Sequence, residues 1–514
     1  MIKRLFLAIA LVATTYSLSA ETPLEVKGEL FGNAGSGDFA PYYMMSNNGG
    51  VLTQSKTFAA RASVKKDFNL SKRFSYAFGV DALAGTSSST DYIRYSADAA
   101  DWVANPQKPA SAWIQQLYGE IKYRGVFLTV GMKERTSPLL NAELGSGDFI
   151  QSNNARPVPE VRAGFVDFQN VPFTKGWLQV QGEIAFGKYM QDDWLEDHYG
   201  RYNKFINKGV WTHYKRMYLR SNPNKPFSVT VGMQTAAQFG GTVYNYWRGE
   251  LQSTDPYDIK LKDFWRIFTL RSGDDNEDFG DKQYVYGNTL GSWDFVARYR
   301  LKNKAEVKAY FQWPFEDGSG IGKLNGFDGI WGLEYDSKKD DAIVSGAVFE
   351  YIDFTNQSGP NHWAPNDNPD SDMTGEATGS DEYYNNFRYN SYMNLGMSQG
   401  SPFIRSTIYN LDGYQHVLDN RIRGFHLGVS GRIYKPLKYR LLFSYRKSWG
   451  TYSSPRTSLA EDTSLMLEGI YGFRQVKGLT VKGQVSFDKG DLLGDNFGVL
   501  LSVSYKGLFD IFGK

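Results

Sequence analysis

From Phe58 to Tyr505 the chain repeats runs of about ten residues in which apolar or aromatic side chains alternate with polar, charged or Gly positions. In residues 126–135, Val126, Leu128, Val130 and Met132 fall on one face, while Phe127, Thr129, Gly131, Lys133 and Arg135 fall on the other. Bulky apolar faces recur at Phe74, Tyr76, Phe78 and Val80, and at Tyr439, Leu441, Phe443 and Tyr445. The opposite faces carry ionised side chains in mid-strand, as at Glu120 and Lys122, Arg298 and Arg300, and Arg440 and Arg446. A packed soluble core would not hide such charges, nor would a soluble strand turn those aromatics to water. The pattern therefore predicts an all-β fold, a closed antiparallel transmembrane β-barrel, over an exported soluble sandwich or propeller.

Connections alternate between tight ones, such as residues 69–72, 124–125 and 302–304, and long ones at 85–112, 190–212, 240–262 and 355–400. Short periplasmic turns and longer external loops take turns in this way in outer-membrane barrels, which prefer an even strand number, here about eighteen. The last run, Phe497 to Tyr505, reads as the closing strand, with residues 506–514 continuing past it. A barrel of this size encloses a lumen unless loops or helices fill it. Residues 190–211, with Trp194, Tyr199 and Tyr202, read either as short helices at the mouth or in the lumen, or as a surface loop with aromatic anchors.

Composition sharpens this picture. Residues 1–20 carry Lys3 and Arg4, an apolar stretch and then small residues, an export signal with processing expected after Ala20; residues 21–514 then form one barrel domain. Removing the signal leaves 55 basic and 55 acidic residues, so bulk charge gives no support for nucleic-acid binding. The absence of cysteine excludes disulfides, thiol catalysis and thiolate metal sites. The 16% aromatic content suits a barrel with interfacial girdles.

Three segments carry a family likeness: Leu117-Tyr118-Gly119-Glu120-Ile121-Lys122-Tyr123, Val130-Gly131-Met132-Lys133-Glu134-Arg135, and Asn153-Asn154-Ala155-Arg156-Pro157-Val158-Pro159-Glu160-Val161-Arg162. With Thr174-Lys175-Gly176-Trp177, Gln238-Phe239-Gly240-Gly241, Tyr383-Tyr384-Asn385-Asn386 and Trp449-Gly450-Thr451-Tyr452, in that order, the chain resembles the Wzi family of capsule-assembly proteins. The resemblance implies a monomeric outer-membrane barrel with helical elements at its periplasmic side. It would attach or organise capsular polysaccharide, in contact with outer-membrane lipid and with the capsule export machinery. The family is lectin-like, and the resemblance supplies neither a catalytic residue nor a cofactor.

Sorting the water-facing side by charge gives an excess of Arg and Lys, while acids concentrate at residues 274–281 and 367–382. A basic lumen would draw acidic sugars, with Arg298, Arg300 and Arg440 gripping carboxylates. The competing arrangement is a ladder of ion pairs across neighbouring strands. Lys133, Arg135, Arg156 and Arg162, pinned by Pro157 and Pro159, form a candidate rim site, or else a salt-bridge network with Glu134, Glu143 and Glu160. In the 355–400 loop, Trp363, Tyr383, Tyr384, Phe387, Tyr389 and Tyr392 either stack on sugar rings or plug the mouth. Two functions fit, polysaccharide binding and a substrate-selective porin for anionic sugars. A barrel enzyme would have to rest on His426 and Ser444, without any familiar hydrolase motif. The five histidines show no metal-ligand spacing, and the Asp-rich stretches match no calcium loop.

Overall fold

The computed structural model describes residues 22–271, 286–316, 320, 322–360, 362–363 and 377–509. The signal segment 1–20 and the acidic stretches 274–281 and 367–376 lie outside the described residues.

Alternation closes into an 18-stranded antiparallel barrel. Its strands are β1 (Leu24–Ser36), β2 (Thr57–Lys66), β3 (Phe74–Ser87), β4 (Ala112–Tyr123), β5 (Val126–Met132), β6 (Glu160–Phe165), β7 (Leu178–Lys188), β8 (Trp211–Ser221) and β9 (Phe227–Phe239). They continue as β10 (Asn288–Arg300), β11 (Glu306–Phe315), β12 (Gly329–Asp336), β13 (Gly346–Asp353), β14 (Ile422–Tyr434), β15 (Leu437–Gly450), β16 (Pro455–Gly472), β17 (Leu479–Gly490) and β18 (Asn496–Phe509). After a break, β6 resumes as Gln169–Asn170 against the same neighbour, β7. Closure runs from Leu24 opposite Phe509 to Ser36 opposite Phe497, so the last strand extends four residues beyond Tyr505 instead of ending there.

The period-2 pattern sets the two faces. Val126, Leu128 and Val130 are exposed on the wall while Thr129 between them is buried, and Phe497, Val499, Leu501 and Val503 repeat this on the closing strand. Outside is lipid. The described residues contain no helix long and apolar enough to cross a membrane, and the strands do the crossing. Short turns after the even-numbered strands share one end with both termini, so that end is periplasmic and the long connections are extracellular.

The inner wall is not left to water. Ser444, Ser464, Ser486, Glu350 and His426 face inward, yet each is fully buried. Residues 37–56 and 133–159, with described residues of the connection between β13 and β14 such as Tyr383, Tyr384, Tyr392 and Phe403, fold back from the extracellular end and fill the lumen. Their Phe149, Tyr383, Tyr384, Tyr392 and Phe403 share one apolar cluster with the inward-facing Tyr218, Leu290, Ile330 and Ile352. Polar groups of the insert also bond to the wall, as burial favours. Asp148 accepts from the amides of Gln234 and Gln312, both at 2.9 Å, and the Ser146 N–H donates to Glu350 at 2.7 Å. Two glycines make room for the insert. A Cβ at Gly428 would lie 2.2 Å from the Leu144 carbonyl oxygen, and one at Gly498 would lie 2.9 Å from Pro41.

Among the described residues three short α-helices, α1 (Tyr42–Met45), α2 (Asp192–His198) and α3 (Leu261–Thr269), sit in the extracellular connections. Residues 190–211 therefore do contain a helix, α2. The helical elements that the resemblance places at the periplasmic side are not found there among the described residues, because the turns at that end are too short to hold them.

Candidate functional site

β5 stops at Met132, where the chain turns inward and carries Lys133 and Arg135 into the barrel beside the Pro157 and Pro159 segment. The four cations of the candidate rim site do come together, and carboxylates meet three of them. Lys133 Nζ lies 2.6 Å from Glu120. Arg135 pairs with Glu160, lies 3.3 Å from Glu183 and stacks 4.6 Å above the Tyr214 ring. Arg162 stands 3.9 Å from Glu120 and 3.8 Å from Glu160. Arg156 differs: its guanidinium lies 4.9 Å over Trp113, its Nε has no acceptor, and burial pulls its pKa down to about 10. The enclosed space between these groups is about 30 Å³, which admits water and not a sugar ring.

Register explains the other basic positions. Arg440 is directly opposite Glu468 and binds it at 3.0 Å, and Arg300 is opposite Glu306, which also takes Arg298 at 2.8 Å. Both groups lie next to periplasmic turns, far along the strands from the mouth. Arg61 holds Asp81 at 2.5 Å, and Lys122 donates to the Lys72 carbonyl at 2.5 Å. The inner wall is thus a ladder of matched charges and not a free basic surface.

The aromatic residues of the long loop divide. Tyr383 and Tyr384 are wholly buried in the plug, where Tyr383 contacts Asp328 at 3.2 Å and Tyr384 donates to the Phe149 carbonyl and accepts from the Ser401 N–H at 2.7 Å. Neither offers a ring face to a ligand. The backbone of Trp363 pairs with Ala377, and its side chain lies outside the described residues.

Above the plug the extracellular end opens into a cavity of about 440 Å³, a size suited to a small ligand or a short stretch of polymer. Its floor includes Asn385, which holds the Val417 backbone by 2.8 and 2.9 Å bonds, and Asn386, which donates to Asn288 at 3.3 Å. Ser453 and Thr451 come from the β15–β16 turn, so the later halves of two motifs singled out in the sequence meet here. Phe387 is 63% exposed on this cavity, and Tyr414 receives a 3.0 Å bond from Lys204. Ring faces beside amides and hydroxyls suit a sugar's C–H face and hydroxyl groups. Among the described lining residues the carboxylates of Glu316, Asp381 and Glu382 outnumber the one ammonium, Lys204, and show no positive excess of the kind expected of the water-facing side. His416 is held neutral, its pKa lowered to about 3 by burial and then by Lys204. Sequence reading placed Phe387 among the loop aromatics that could stack on sugar rings and missed Tyr414 as a site residue.

His426 and Ser444 are neighbours, 3.1 Å apart, as the enzyme reading requires. Tyr43 bonds both, the Leu144 carbonyl accepts from His426 at 2.7 Å, and both residues are fully buried. The pair fastens the plug to the wall and has no room for a substrate. Among the described residues no group of His, Asp or Glu is placed to hold a metal ion.

No protein-family model matches the chain, and no curated protein sequence matches it. Among solved structures it is similar to Wzi of Escherichia coli, described as an outer-membrane protein involved in group 1 capsule assembly and as a carbohydrate-binding β-barrel. The TM-score is 0.55 at 10% identity, over 96% of this chain and 85% of that one. OccAB2 of Acinetobacter baumannii follows at 0.47 and 8% identity over 95% and 98% of the chains, and OccK3 of Pseudomonas aeruginosa at 0.44 and 12% over 95% and 96%. The likeness to Wzi establishes a shared fold, and the protein is an outer-membrane β-barrel.

Proposed function

We propose that this barrel is a non-enzymatic anchor for capsular polysaccharide, which it holds at its extracellular mouth. One observation carries the reading: the lumen is packed with buried aromatic and hydrogen-bonded side chains, and an open cavity of about 440 Å³ with amides, hydroxyls and exposed rings begins where that packing ends. A solute has no continuous passage through such a barrel, whereas a polymer lying across the mouth can be gripped along its length. The Wzi fold, described for its own protein as carbohydrate-binding and involved in capsule assembly, supports the same reading. The sugar contacts fall to Phe387, Tyr414, Asn386 and Ser453. Lys133, Arg135 and Arg162 serve mainly to hold the wall together.

Deleting the gene and staining cells for capsule tests the proposal in the organism. Total polysaccharide is expected to stay at the parental level, with most of it shifting from the cell surface to the medium. Unchanged surface retention, or loss of synthesis itself, would contradict it.

A further inference from the structure

The helix α3 packs on the outside of the barrel. Register sets Phe186, His213, Ala237 and Thr289 in one row across β7, β8, β9 and β10. The adjoining row, Ala185, Tyr214, Ala236 and Leu290, belongs to the apolar cluster of the lumen, so the first row faces outward. Farther along the same outer face Met217, Leu219 and Val231 are exposed, as residues turned to lipid are.

Toward the extracellular end this face turns polar, with His213 and Lys215 at positions that a lipid-facing strand fills with apolar side chains. The helix covers them. Phe264 meets the edges of Trp211 and Phe239, with ring centres 5.4 Å apart in both pairs, and lies 5.3 Å from Phe186, while Ile267 is fully buried in the same cluster. His213 is buried between Phe186, stacked at 4.3 Å, and Phe268, edge-on at 6.3 Å. The Lys215 ammonium donates to the Phe268 carbonyl, one of the last carbonyls of the helix and so without a partner inside it.

Helical spacing divides α3 into three stripes. Phe264 and Ile267 meet the wall, and Lys262, Arg266 and Thr269 form a polar stripe. Leu261, Trp265 and Phe268 make the third, and they are 88%, 59% and 38% exposed. Three large apolar side chains in line are costly to turn to water. This stripe adjoins the wall that lipid already covers: Phe268 touches the outward His213, and Met217 is the next outward residue of β8 after Lys215.

We propose that α3 is an interfacial helix lying in the outer leaflet against the barrel wall, and that the acyl chains of the membrane are the partner of its Leu261, Trp265 and Phe268 stripe. The polar stripe then meets the head groups. The inner face of the helix shields His213 and Lys215, which lets the wall carry them at lipid-facing positions. Continuity with the wall selects lipid over a soluble partner, because the stripe begins where the lipid-facing strand surface ends. The proposal stands on the outer wall alone and is independent of what the mouth binds.

The chain contains no cysteine, so single nitroxide labels report on single positions. The full chain in phosphatidylcholine liposomes is labelled as L261C or W265C on the stripe, as M217C on the lipid-facing wall, and as T254C on the exposed extracellular strand Glu250–Tyr257. Power-saturation EPR compares collisions with oxygen, which concentrates among acyl chains, and with a water-soluble nickel chelate. The oxygen-to-nickel ratio at 261 and 265 is expected to approach that at 217 and to exceed that at 254 about tenfold. Heat-modified migration on gels checks that each labelled barrel is folded. Leu261 and Trp265 both stand clear of the plug, and should one variant fail to fold the other carries the test. A ratio on the stripe equal to that at 254 would place the helix in water and overturn the proposal. Exclusion of both reagents together with spin–spin broadening would overturn it too, as the mark of a second copy of the chain seated on the stripe.

Discussion

Reconstituted into a planar bilayer, the protein is expected to give no stable single-channel current steps. An empty barrel of eighteen strands would conduct, because the enclosed space grows with strand number. Here the inward-facing Ser444, Ser464 and Glu350 are fully buried, and they lie on different strands around the wall. Three inserted segments supply the covering atoms, and Asp148, Ser146 and Leu144 tie the second of them to Gln234, Glu350 and His426. Replacing residues 379–418 by a short Gly/Ser linker removes Tyr383, Tyr384, Tyr392 and Phe403 from the central cluster. That variant is expected to show discrete current steps, provided its heat-modified migration confirms a folded barrel. Stable steps from the unaltered protein would replace the sealed barrel with a porin.

Arg446→Met is expected to lower the unfolding free energy by about 3–5 kcal/mol, the loss usual when one member of a buried charged group is removed. Arg446 is among the largest fully buried side chains; its guanidinium lies 3.9 Å from the Tyr42 ring and 4.8 Å from the Phe403 ring. It therefore joins two inserted segments to β15 by cation–π contact in a water-poor setting. Asp462 is its cross-strand partner in register, and Asp488, which accepts the Tyr42 N–H at 2.8 Å, is within Coulombic reach. Methionine fills much of the volume and leaves both carboxylates without that charge. Urea titration in lipid vesicles reads the change. Lys338→Met, whose half-exposed ammonium pairs with Asp336 and Glu306, should move the midpoint far less, since Glu306 keeps Arg298. A similar small shift for Arg446→Met would show that the plug stands on apolar packing alone.

The wall was legible because alternation is local. Val126, Leu128 and Val130 announce their face within seven residues, and so does the closing strand. The pairing of charges was not legible, since it depends on register: only the alignment of β15 with β16 puts Arg440 opposite Glu468. A one-sided count of Arg and Lys therefore read as a basic lumen what cross-strand pairing makes into a ladder. The insertion of loops was half legible. Residues 354–421 are too long and too aromatic for an ordinary surface loop, which suggests function or filling. Residues 37–56 and 133–159 gave no such sign, because their anchors, Tyr42 to Asp488 and Leu144 to His426, join residues hundreds of positions apart. Glycines at inward positions 428 and 498 were the traces they left in the strands. In the Tyr383-Tyr384-Asn385-Asn386 motif the two halves have opposite surroundings, with tyrosines in the plug and Asn386 at the cavity, and no periodicity separates them.

Retention of purified capsular polysaccharide by the protein in lipid nanodiscs, compared with the F387A/Y414A variant, addresses the mouth directly. Both rings sit on the cavity without closing the plug, so the variant should fold normally and bind about tenfold more weakly or worse, as expected for two lost stacking faces. Equal retention by the variant, or none by the unaltered protein, would contradict polysaccharide binding at the extracellular mouth.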